Sequence, residues 1–320
     1  MKRVPVPADV RSRAEARAAA RRAKRWVEAD RLRSEIEDAG WTVVDDGPRY
    51  RLAPAHPADV VDGERVRYGR SASVPSVLGQ AAVGPASVVI VATTAPDDIL
   101  RAIRSVRATS PDGTQIVVVA DGPEVDLGGG RVEASLGNGD EIVLTSASLG
   151  YAAALNCGIR RARSSVVVVM DGSIELIGDA LSPLIDALTD PAIAAAGPYG
   201  IRSQDLRQFD DAPAGDVDAI EGYLMAFRRQ DYVSRGPLDE HFRFYRNLDI
   251  WWSLVLRDEG EQASSRRAVA IGGLPLIRHE HRAWSSLPEA DRDRLSKRNF
   301  YRLLDRFRDR RDLLTGAGAG

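Results

Sequence analysis

Short apolar runs alternating with segments of helical periodicity, beginning at residue 87, constrain the fold of this chain more than any other feature. The runs occupy 87–92, 115–120, 141–145 and 166–170, with helical patterns over 97–108 and 151–162 between them. Valine and isoleucine dominate these runs and no polar residue alternates through them, which is the pattern of strands covered on both faces. Strands joined through helices pair in parallel by right-handed crossovers. The expected fold is therefore α/β, a mostly parallel Rossmann-like sheet with helices on both faces. Ligands of such sheets sit at the carboxyl ends of the strands, which directs attention to 93–96, 121–123 and 171–173.

The rest of the chain divides by composition. Ala, Arg and Glu fill 10–40, split near 26–29 into a strongly basic helix and a mildly acidic one, and a small strand, turn and strand follow over 41–52. Residues 53–84, rich in Pro, Gly, Ser and Ala without periodicity, read as a linker. The main domain is expected over 85–285. Beyond it, 286–320 reads as a basic amphipathic helix with Leu295, Tyr301, Leu304 and Phe307 near helical spacing, then a frayed Gly-Ala tail. Such a helix either docks on the main domain or meets anionic lipid or RNA. The formal net charge of -2 excludes a uniformly basic, nucleic-acid-coating surface. Cys157 is the sole cysteine, so an intramolecular disulfide and a thiolate zinc cluster are both excluded. With no signal-like segment and no run near the roughly 20 apolar residues of a membrane span, a cytoplasmic setting is expected, with peripheral contact at the inner membrane face left open.

The run 166–170 delivers Asp171 to the active edge of the sheet, and Gly172 lets the chain turn and a ligand approach closely. Asp-Gly-Ser also simply makes turns. Its surroundings separate the two readings. The segment LGYAAALNCGIRRARSSVVVVMDGSIEL sets a glycine-led, alanine-rich helix containing Asn and Gly before the strand and acidic turn. Downstream, AIEGYLMAFRRQDYVSRGPLDEHFRFYRNLDIWWSLVLRDEG carries Gly, Arg-Arg, Gly-x-x-Asp-Glu-x-Phe and an acidic helix start. In this order, over about 87–281, the chain resembles the family 2 glycosyltransferases of GT-A fold.

That resemblance implies transfer of a sugar from a UDP-, GDP- or dTDP-sugar to a glycan, lipid or protein acceptor, with inversion and with help from Mn²⁺ or Mg²⁺. It places Thr93 and Thr94 along the nucleoside pocket and Asp121 on the base or ribose, although Asp121 also reads as a turn former before Gly122-Pro123. Asn156 matches the Asn of the helix motif near the diphosphate, but Leu155 stands where a basic residue usually precedes it. Asp171 matches the first acid of the metal-binding DxD turn, with Gly172 between it and Ser173, whose hydroxyl replaces the second carboxylate. His279 and His281, expected on one strand face, lie where many members place a metal-binding histidine. On the acceptor side stand Glu221, Gly222, Trp251 and Trp252, with one tryptophan expected in the core and the other stacked on substrate. The general-base position of the family's acidic cluster falls on Asn247, which cannot accept a proton at neutral pH. Asp249 is the expected substitute, with Glu221 or Asp239 as alternatives. The alternative is a catalytically degenerate nucleotide-sugar-binding or RNA-associated scaffold.

A second resemblance lies in AEARAAARRAKRWVEADRLRSEIEDAGWTVVDDGPRYRL, which is similar to the C-terminal helical subdomain of cysteinyl-tRNA synthetases. The synthetase's catalytic signatures and zinc cysteines have no counterpart. The resemblance implies either RNA contact through the basic first helix or a packing hairpin.

Overall fold

The computed structural model describes residues 5–47, 49–92, 95–261, 263–281 and 287–315. Helices α1 (Ala8–Arg22) and α2 (Trp26–Asp38) form a hairpin whose turn passes through Lys24 in a left-handed conformation, φ 56°. The hairpin packs on two antiparallel strands, β1 (Trp41–Asp46) and β2 (Arg49–Pro54), burying Val10, Ala14, Ile36, Trp41 and Val43 in a small core of their own. Arg17 is 5% exposed and donates to both oxygens of Asp45 at 3.0 Å, and Arg21 adds another contact to the same carboxylate. These guanidiniums, Arg17 foremost, hold the Asp45 carboxyl down at about 2. Much of the basic character of α1 is thus spent within this small unit.

The segment expected as a linker does more than connect. Strands β3 (Val60–Asp62) and β4 (Arg65–Tyr68) lie within it and extend the main sheet, with β4 pairing in parallel with a later strand, 141–145. Strands of three and four residues flanked by Pro and Gly carry too little periodicity to be seen in sequence.

The parallel half of the main sheet follows as β5 (Ala86–Ala92), α3 (Pro96–Thr109), β6 (Gln115–Ala120), α4 (Arg131–Ser135), β7 (Glu141–Thr145), α5 (Tyr151–Ile159) and β8 (Val166–Met170). Next come β9 (Ile174–Leu176), α6 (Leu181–Ala187), β10 (Ile193–Gly197), β11 (Gly200–Arg202), β12 (Asp210–Ala212), β13 (Gly215–Val217) and β14 (Ala219–Ile220). The described chain ends with β15 (Leu224–Arg228), α7 (Arg229–Arg235), α8 (Leu248–Arg257), β16 (Arg267–Ala270), β17 (Leu276–Arg278) and α9 (Glu289–Phe307).

Ten strands form one sheet in the order β13-β16-β10-β15-β8-β5-β6-β7-β4-β3. β5, β6, β7 and β8 are parallel, and β15 inserts antiparallel beside β8, from Leu224 opposite Met170 to Arg228 opposite Val166. Because strand side chains alternate between faces, Val88, Ile90, Ile116, Val118 and Val168 pack with α3 and α6. Val89, Val117, Val119, Val167 and Val169 face the opposite way, toward α5, α8 and α9. Both faces are therefore covered, as the unbroken apolar runs require. A methyl group on Gly158 would lie 2.4 Å from Val89 Cγ1, so this glycine sets how closely α5 rests on the sheet.

The C-terminal helix α9 docks on the main domain through Asn299, Leu303 and Phe307, three buried positions four residues apart. Tyr301, expected on its apolar line, instead faces solvent. No described helix is long and apolar enough to cross a membrane.

Candidate active site

β8 ends at Met170, and the next residue is held by its own backbone: the N–H of Asp171 donates to the Tyr223 carbonyl at 2.8 Å. The side chain is largely buried. Its Oδ1 accepts the Ser173 N–H at 2.8 Å, and its Oδ2 lies 2.8 Å from Nε2 of His281. Burial works to raise the carboxyl's pKa, but the contacts from His281 and Ser173 outweigh it and leave Asp171 below the ordinary aspartate value. A Cβ on Gly172 would sit 2.6 Å from Ile99 Cδ1 of α3, so a side chain there would have to displace the tip of Ile99.

The two histidines part company. β17 ends at Arg278; beyond it His279 meets Glu175, Nε2 to Oε2 2.7 Å, while His281 meets Asp171. Among the described residues, no group of three or more His, Cys, Asp or Glu is arranged to hold a metal ion.

Across the cavity, Asp249 sits in the first turn of α8. Its Oδ2 accepts the Gly222 N–H at 2.9 Å, and Oδ1 accepts the Ile250 N–H at 3.0 Å. Burial pushes its carboxyl above the ordinary value despite these two donors, and the nearby Glu221 carboxylate pushes the same way. Gly222 is required here, since a Cβ would lie 2.9 Å from Asp249 Cβ. Glu221 itself accepts from Arg278 at 3.1 Å, and that guanidinium lies 4.4 Å over the Tyr223 ring.

Asp171, Ser173, His281, Glu221, Gly222, Asn247 and Asp249 together line one cavity of about 300 Å³ at the carboxyl end of β8. Tyr151, Tyr245 and Arg246 also line it. Of these three, Tyr245 meets His281 edge-on at 4.6 Å between ring centroids and Tyr151 at 6.1 Å. Burial, with Asp171 and Asp249 close by, keeps the Tyr151 phenol protonated far above its usual range. Neither tyrosine stands out in sequence, where each reads as an ordinary helix-start or loop residue.

Other expected contacts are drawn elsewhere. Asn156 is 1% exposed and its amide is fully used: Nδ2 donates to the Leu238 carbonyl and to Glu240, while Oδ1 accepts from Leu238 N–H and Tyr232 O–H. With no donor or acceptor left over, it is not a diphosphate contact. Asp121 accepts from the Leu149 and Gly150 N–H groups and from the Thr145 and Ser148 hydroxyls, organising the loop before α5. Its four bonds fit the turn-building reading. Trp251 and Trp252 are both buried. Trp251 packs on Phe242 at 5.5 Å beneath the Arg306 guanidinium, away from the cavity, so it is no acceptor platform. Trp252 sits against Phe227 and Tyr232 and reaches the cavity wall. Asn247 is in a left-handed conformation, φ 66°, with Nδ2 donating to the Ser296 carbonyl of α9 at 3.1 Å. It starts α8 and ties it to α9, and serves no proton transfer. Thr93 and Thr94 lie outside the described residues.

The mostly parallel sheet covered by helices on both faces matches the GT-A fold of glycosyltransferases. The structure of GalNAc-T7 with UDP, GalNAc and Mn²⁺ shares it at a TM-score of 0.55 and 16% identity, covering 71% of this chain and 48% of that one. This chain thus spans about half the length of that structure. The mannosyltransferase PcManGT of Pyrobaculum calidifontis, solved with GDP-Man and Mn²⁺, aligns at a TM-score of 0.48 and 18% identity, over 67% of this chain and 64% of that one. No curated protein matches the sequence. The sequence model described as "Glycosyl transferase family 2" matches residues 87–246, half of the chain, and the protein belongs to that family.

Proposed function

We propose that the chain transfers a sugar, with inversion, from a nucleoside-diphosphate donor, with Asp171 and His281 on the diphosphate side and Asp249 as the base. One observation carries the reading: two carboxylates distant in sequence line a single cavity, one held below and the other above the ordinary aspartate range. Environments that push paired acids apart separate their roles. Asp171 stays ionised and suits a cationic partner, whereas Asp249, once ionised, is a stronger base than a solvated aspartate. In the step proposed, an acceptor hydroxyl oxygen bonds to the anomeric carbon as the bond from that carbon to the diphosphate oxygen breaks. The hydroxyl proton passes to Asp249, and the nucleoside diphosphate leaves with the bonding pair. Each Asp249 oxygen accepts one backbone N–H and keeps a lone pair for that proton.

A divalent cation would find its protein ligands in this donor set. Asp171 and His281 supply a carboxylate and an imidazole, Ser173 adds a hydroxyl without charge, and Mn²⁺ or Mg²⁺ commonly takes few protein ligands plus phosphate oxygens. When bound, the ion would neutralise charge on the leaving diphosphate.

Calorimetric titration with UDP-, GDP- and dTDP-sugars in Mn²⁺ or Mg²⁺, followed by nucleoside-diphosphate release, tests the proposal. Asp171→Ala is expected to weaken donor binding about tenfold or more, and Asp249→Asn to slow release about 100-fold while binding holds. Absence of donor binding by the unaltered chain, or full turnover in Asp249→Asn, overturns it. Donor binding without release in the unaltered chain would favour the second reading, a non-transferring nucleotide-sugar binder. Ser173 and Asn247, standing at expected acidic positions, lend that reading its support.

A further inference from the structure

The helix α9 holds a loop that lines the cavity, chiefly through one buried polar side chain. Asn299, 2% exposed between the apolar anchors of the helix, donates Nδ2 to the carbonyls of Phe244 at 2.7 Å and Arg246 at 2.8 Å. Those carbonyls flank Tyr245, whose ring packs edge-on to His281 and lines the cavity. The return bond from Asn247 to the Ser296 carbonyl fixes the next residue, and Arg302 pairs with Asp239 at the start of the same loop. Leucine or phenylalanine at position 299 would suffice to dock the helix. A buried amide that places both N–H groups on carbonyls around one aromatic residue instead dictates where that residue stands.

We propose that Asn299 is a positioning residue, and that α9 clamps the 239–247 loop so that Tyr245 is held against the Asp171–His281 side of the cavity. The catalytic consequence rests on the donor-site reading above. The geometric one does not.

The test uses the full chain with Asn299→Asp, Asn299→Ala and Arg310→Ala. Asn299→Asp keeps the shape but can donate to at most one of the two carbonyls, while Arg310→Ala removes a distant anchor of the helix end on Asp258. Amide hydrogen exchange over 243–249 is expected to quicken about tenfold or more in both Asn299 variants, with 115–120 and 166–170 unchanged. Arg310→Ala is expected to lower the melting temperature yet leave the loop protected. In the Asn299 variants, product release should fall about tenfold while affinity for the UDP- or GDP-sugar stays within about threefold. Loop protection that falls equally in Arg310→Ala overturns the clamp, because the loop would then track global stability. Wild-type protection in Asn299→Asp overturns it too, and loop opening without loss of release overturns the positioning role. A wild-type chain that binds no donor defeats the functional reading alone, since exchange still decides the clamp.

Discussion

Replacing Asn156 with leucine separates a scaffolding amide from a donor-binding one. The change keeps the branched shape and the number of heavy atoms, so it opens no cavity, but it strips partners from the Leu238 N–H, the Leu238 carbonyl and the buried Tyr232 hydroxyl. Each orphaned buried group costs about 1–3 kcal/mol. Taking the lower part of that range, because added apolar burial offsets some of the loss, the sum is about 3–5 kcal/mol. That is a large share of the roughly 5–15 kcal/mol that a typical domain possesses. At about 2–4 °C per kcal/mol for a domain of this size, the melting temperature should fall by about 6–20 °C. Differential scanning calorimetry with and without nucleotide sugar measures it. Donor affinity, where the variant remains folded, should stay within about threefold. A variant that melts within about 2 °C of the parent but loses donor affinity tenfold or more would refute the scaffold assignment and return Asn156 to the diphosphate.

Gly222→Ala should press on Asp249 Cβ, costing about 1–3 kcal/mol of stability and lowering product release more than donor binding, as denaturant melts and steady-state rates would register. Equal stability and full release would show that the helix start yields freely. In the N-terminal unit, the Asp45 carboxyl is depressed by Arg17 and Arg21, so its contribution to folding is fully present above the ordinary value near about 3.9. That contribution drains away as pH falls through about 2. An NMR titration of the Asp45 carboxyl should show its midpoint well under the ordinary value, and a midpoint at or above that value would contradict the Arg17 pairing.

The sheet was legible because burial on both faces leaves a local trace. Strands such as Gln115–Ala120 and Val166–Met170 are apolar at every position, and their helices repeat with a different period, so neither depends on distant residues to be recognised. β3 and β4 escaped notice because three or four residues hold no measurable period, and their place at the sheet edge comes from pairing across the fold. Asp171 could be singled out by its position after a buried strand.

What sequence alone determined is therefore the class of fold, the strand that presents Asp171 and the order of motifs that marks the family. Tertiary structure decided which neighbours claim each polar side chain. Asn156 and Asp121 stand at motif positions yet spend their hydrogen bonds on the Leu238 and Leu149 segments, His279 turns to Glu175, and His281 alone reaches Asp171. Tyr245 becomes a wall of the cavity because an amide on α9 holds the carbonyls on either side of it. The physical reason is one of range. Periodicity and turn chemistry act between residues a few positions apart, whereas a hydrogen-bond partner or the desolvation of a carboxylate such as Asp249 is set by whichever distant segments the fold packs against it.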